Sequence, residues 1–146
     1  MTKVHINRIM VGIEEAKRGN TLLGLELLSG SVNVKNLPEA KAWHGYCLAR
    51  ETKNYKQALS QCSEARQNSP GNSDIYLALG RIYLLAGIRN SAVRALETGL
   101  RLDNNREISR LLNSIGTRKP PVFHFLNRNS KVNVASGRLL SKIGIR

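Results

Sequence analysis

The side chains able to do chemistry in this sequence are few and scattered. His5, His44 and His124 stand far apart, and no pair has the i, i+4 spacing that lets two imidazoles hold one metal from a helix. His44 and Cys47 are three residues apart and share a helix face, where a thiolate–imidazole pair is conceivable. No acid is placed to orient the ring, so Cys47 reads as a half-buried thiol and His44 as a surface or groove residue. Glu14–Glu15 is the acidic doublet, and adjacent helix residues point apart. No phosphate loop, dinucleotide fingerprint or nucleophile elbow occurs. The reading is a non-enzymatic protein with no cofactor and no metal site. Cys47 and Cys62 form no CxxC pair and fit a reduced, cytoplasmic setting.

The elements that would carry these residues come from composition first. The chain has 146 residues, 41% of them hydrophobic and 23% charged, with aromatics at 5%. A core must therefore rest on Leu, Ile, Val and Ala, a mix that favours helices. Lys and Arg number 23 against 10 Asp and Glu, a net charge of +13. Such a field favours nucleic acid, anionic lipid or an acidic protein face. The first twenty residues interrupt their apolar runs with charges, unlike a secretion signal or membrane span.

Self-comparison at a shift of 34 residues then organises the chain. Gly24, Ala58 and Ala92 form one column; Ser31, Ala65 and Gly99 another; Gly12, Tyr46 and Gly80 a third; Gly19, Lys53 and Gly87 a fourth. Two helices of about 14 residues, each rising about 21 Å, with short turns account for this period. Small residues let the paired helices approach, while Tyr76, Leu79, Tyr83 and Leu96 fill the space between them. Gly19 and Gly87 fit helix ends that need a left-handed residue. Lys53 replaces that glycine in the second unit, with Asn54 able to take the conformation instead, and Asn20 and Asn54 read as N-caps. Arg8 and Glu15 occupy apolar positions in the first unit, which makes it an atypical cap with one wet face or places a slip of the repeat frame there.

Tyr76, Leu79, Gly80 and Tyr83 match the W-x2-L-G-x2-Y core of the tetratricopeptide repeat, and Ala92, Leu96 and Gly99 fit its second helix. The chain resembles that family, in a small bacterial form, most clearly over residues 39–106. The resemblance implies an all-α, right-handed superhelical stack of three hairpins, at about 5–38, 39–72 and 73–106. A capping helix over 106–116 and a basic tail over 117–146 complete the expected map. It also implies a concave groove lined by the first helices. Residues 34 apart would form rows along it: Ile9, Trp43 and Leu77; Ile13, Cys47 and Arg81; Ala16, Arg50 and Leu84; Ile6, Ala40 and Asp74.

The groove candidates are thus Ile9, Ile13, Trp43, His44, Cys47, Arg50, Leu77 and Arg81. Trp43 is either an exposed peptide anchor or a core residue filling the gap left by Ala42 and Gly45. Arg50 and Arg81 would bind a ligand carboxylate, or else lie on a solvated face. Some members of the family that the chain resembles grip a C-terminal carboxylate with Lys and Asn side chains in this groove. Ile9, Ile13, Trp43, Cys47 and Leu77 stand where such residues would be needed, which argues against that clamp. From Thr117 onward the chain has seven bases and no acid, with Pro120–Pro121 and an apolar cluster. Arg118, Lys119, Phe123, Phe125 and Arg128 are the candidate contacts there, for an acidic partner or a membrane surface. The plainer alternative is that the tail packs its phenylalanines on the last helix, and a further one that it lies in the groove. The functional reading is an adaptor, scaffold or small chaperone-like module for a peptide of acidic character. Nucleic-acid binding comes second, because aromatic residues are not interleaved with the bases, and self-association stays open.

Overall fold

The computed structural model describes residues 3–30 and 36–116. The chain divides into two units, Met1–Ser114 and Ile115–Arg146, and the first of them carries the helical hairpins. The tail contacts expected at Arg118, Lys119, Phe123, Phe125 and Arg128 lie outside the described residues. Every described element is a helix: α1 (Lys3–Arg18), α2 (Thr21–Ser29), α3 (Pro38–Thr52), α4 (Tyr55–Asn68), α5 (Ser73–Leu85), α6 (Arg89–Leu102) and α7 (Arg106–Ile115). They pack as the hairpins α1–α2, α3–α4 and α5–α6, and α3 lies against both α1 and α5.

Each first helix stops at the same place in the repeat. Gly19 and Gly87 end α1 and α5 at φ of 97° and 75°. Lys53 itself, and not Asn54, takes the left-handed turn after α3, at φ of 58°. The Cβ there costs about 1–2 kcal/mol relative to glycine. Asn54 is left free to cap α4, its side chain accepting from the Gln57 backbone N–H at 3.3 Å. Asn20 does not cap α2; its amide donates back to Glu15. Ile88, with no polar side chain, leaves α6 uncapped in the same sense.

The close approaches follow from the small columns. A Cβ on Gly80 would lie 2.6 Å from Leu96, and one on Gly99 2.8 Å from Ile108 and 2.9 Å from Tyr76. Helices α5 and α6 therefore pack at backbone distance, and Ile108 of α7 seats where Gly99 leaves room. Full burial of Leu28, Ile75, Leu77, Ile82, Leu96 and Ile108 contributes about 1.5–3 kcal/mol for each side chain. At the opposite end, Arg8 is exposed and its guanidinium lies over Gly30. Glu15 bonds to Arg18 and Asn20.

Candidate functional site

Of the rows predicted along the first helices, the one through Trp43 is covered, as are its neighbours Ile13 and Cys47, while Ile6 and Arg50 at the margins stay exposed. Ile9 and Leu77 are 1% exposed, Ile13 is 5% exposed, and Trp43 and Cys47 are fully buried. The open apolar row is corrected by these burials, and its central member, Trp43, sits beneath a lid of charged side chains.

Lys17, near the end of α1, reaches across to α5, its ammonium 2.7 Å from Asp74 and 3.4 Å from Glu39 of α3. Asn105, before α7, donates to the other Asp74 oxygen at 3.0 Å. Arg81 of α5 donates to the Lys17 backbone carbonyl at 3.0 Å and to Glu107 of α7 at 3.2 Å. A guanidinium on the last carbonyls of α1 also complements the negative end of that helix. The Arg81 carbon lies 5.2 Å from the Trp43 ring centroid and 5.5 Å from that of Tyr46, and the Lys17 ammonium lies 5.7 Å from Trp43. Both cations thus face aromatic rings as well as acids. The two rings meet edge-on, 5.7 Å apart.

Burial opposes the Lys17 charge, but Asp74 and Glu39 hold its proton and leave its pKa above the ordinary lysine value. Burial likewise raises Glu39, against the pull of Lys17 and with the help of Asp74. The Trp43 indole N–H is buried and finds no acceptor among the described residues, an omission that costs about 1–3 kcal/mol. Trp43 is therefore a buried residue, though not one that fills the gap at Ala42 and Gly45. That gap is closed by α4, whose Ala58 carbonyl oxygen lies 3.0 Å from where a Gly45 Cβ would stand.

His44 lies apart from Trp43. Its Nδ1 is 2.9 Å from the Gln61 side-chain oxygen and its Nε2 is 3.1 Å from the Ser29 hydroxyl. It ties α3 to α2 and α4, and has no place among the inner rows. A thiolate–imidazole pair with Cys47 does not form: burial, with Glu51 adding to it, pushes the Cys47 thiol up to about 12. Among the inner-face candidates, Arg50 remains exposed and makes no ion pair with a described residue. No group of three or more metal-ligating side chains comes together among the described residues.

The lid residues Lys17, Glu39, Asn105 and Glu107 escaped sequence reasoning. The available signal was in the rows themselves. Asp74 and Arg81, seven residues apart on α5, are the charged members of rows otherwise made of Ile6 and Ala40, and of Ile13 and Cys47. A charge placed in an apolar row needs a counter-charge nearby.

The comparisons fit this geometry. No match is found among curated proteins. A family model described as tetratricopeptide repeat matches residues 49–115, which run from the last turn of α3 through α7. Residues 49–115 thus carry the tetratricopeptide repeat, and hairpins of the same build precede and fill that stretch.

Proposed function

We propose that the chain is a non-enzymatic interaction module whose partner is an acidic segment of another protein. Tetratricopeptide repeats generally mediate protein–protein contacts. The acidic character of the partner rests on one observation, the surplus of exposed bases outside any ion pair or side-chain hydrogen bond among the described residues. They outnumber the exposed acids left in the same state, Glu14, Glu26, Glu97 and Asp103. Glu15, Glu39, Glu64, Asp74 and Glu107 are each engaged by a base of the chain itself. Arg50, Lys53, Lys56, Arg66 and Arg94 are exposed and make no ion pair among the described residues. The seven bases of residues 117–146 add to this surplus. An acidic surface would be drawn in by the net field and held by charge-assisted bonds. Two buried, unpaired thiols suit a reduced compartment such as the cytoplasm, and no described helix is long and apolar enough to cross a membrane.

The test is capture from nuclease-treated extract on the immobilised full chain, followed by direct binding of each purified captured protein. The reading expects a protein with an acidic stretch whose affinity falls as salt rises. Loss of all captured material after nuclease treatment would overturn it in favour of nucleic acid.

A further inference from the structure

Two furrows run between the second helices of successive hairpins, one over α3 and one over α5, at equivalent positions 34 residues apart. The first is shut. Its floor residues are Ala42, Gly45 and Ala49, small enough for α4 to descend onto α3. The Cys62 thiol reaches the Ala42 carbonyl at 3.5 Å, His44 ties both walls, and Lys41 pairs with Glu64. The second furrow has Tyr76, Leu79 and Tyr83 at the same three positions. These bulky side chains keep its walls apart and leave a cleft of about 260 Å³ with Arg66 of α4 and Arg94 of α6 in its lining.

The cleft's polar groups are unevenly used. The Tyr76 hydroxyl donates to the Pro70 carbonyl at 3.2 Å, and the Thr98 hydroxyl donates to the Arg94 carbonyl at 2.8 Å. Arg66 and Arg94, by contrast, make no side-chain hydrogen bond or ion pair among the described residues. No acid lines the cleft, so two guanidinium groups stand over an aromatic and aliphatic floor with no counter-charge. Carboxylates match guanidinium donors in pairs, and the methylenes of a glutamate would lie on the tyrosine rings. The volume is just below the roughly 300–1,000 Å³ of typical small-molecule sites, which fits one or two side chains of a larger partner.

We propose that this open furrow over α5 is the docking site of the acidic protein segment, seating its carboxylates on Arg66 and Arg94. The proposal rests on the acidic-partner reading above and places the partner away from the lidded inner face.

The experiment measures binding of a dye-labelled hexaglutamate peptide to the full chain at low salt, with hexaglutamine as control. Two doubly reversed variants are compared, R66E/R94E in the cleft and R50E/K56E outside it, each checked for an unchanged unfolding temperature. All four side chains are exposed and both variants alter net charge equally. The proposal expects R66E/R94E to bind roughly tenfold more weakly and R50E/K56E to change by less than about twofold. Equal weakening by both would mean diffuse attraction and would overturn the site. No weakening by R66E/R94E would also overturn it, leaving the acidic partner intact. If the unaltered chain fails to prefer hexaglutamate over hexaglutamine, the acidic-partner reading falls, and the site with it.

Discussion

Over α3 the floor of the furrow is Ala42, Gly45 and Ala49; over α5, one repeat later, it is Tyr76, Leu79 and Tyr83. The backbone plan is the same in both places, and the difference lies in side-chain volume. Small floor residues let α4 settle until the Ala58 carbonyl occupies the space of a Gly45 side chain. Polar groups that would otherwise face water then meet each other: His44 with Ser29 and Gln61, Lys41 with Glu64. Large floor residues hold the walls open and leave Arg66 and Arg94 without partners among the described residues. A repeat protein can therefore turn one copy of a groove into structure and keep the next as surface. A few side chains suffice.

The largest expected effect is on thiol reactivity. Burial pushes the Cys62 thiol up to about 12, so at pH 8 it is protonated, and its sulfur is fully enclosed. A raised thiol pKa means that thiolate appears only as pH climbs toward that value. Cys62 should label only through opening of the shut furrow, whereas a Ser91→Cys thiol in the open cleft should label at least about a thousandfold faster. Mass-resolved alkylation of that variant checks this, and comparable rates at the two positions would show that both furrows are open.

A smaller effect is expected from giving the shut furrow the side chain of the open one. Gly45→Leu places bulk against a backbone carbonyl that cannot rotate away. It should cost about 2–3 kcal/mol, read as a fall in Tm of roughly 10 °C. An unchanged Tm would mean that α4 is not seated on Gly45.

The period of 34 made the hairpins legible in sequence, because apolar and small columns reflect packing that each unit repeats. The turn at Lys53 was less legible. A lysine in a left-handed conformation is strained locally, and only the fixed position of that turn between α3 and α4 imposes it. The inner face was read by type, Ile9, Trp43 and Leu77 as a row, without what covers it. Lys17 lies 57 residues from Asp74 and 22 from Glu39. Such distances follow from how the hairpins curve, which no single helix face encodes. Arg66 and Arg94 escaped notice for a related reason. They are 28 residues apart, so comparison at the repeat period does not align them, although the exchange of Ala42 and Gly45 for Tyr76 and Leu79 was visible and marked the difference between the furrows.

The most direct test uses the sole tryptophan as a sentinel of the inner face. Amide and indole signals of the isotope-labelled chain would be followed by NMR while hexaglutamate is added. Binding in the open furrow predicts saturable shifts at Tyr83 and Ala95, with the Trp43 indole N–H signal unmoved beneath Lys17 and Arg81. A moving Trp43 signal with Tyr83 and Ala95 unchanged would contradict docking in the open furrow and return the binding site to the inner face.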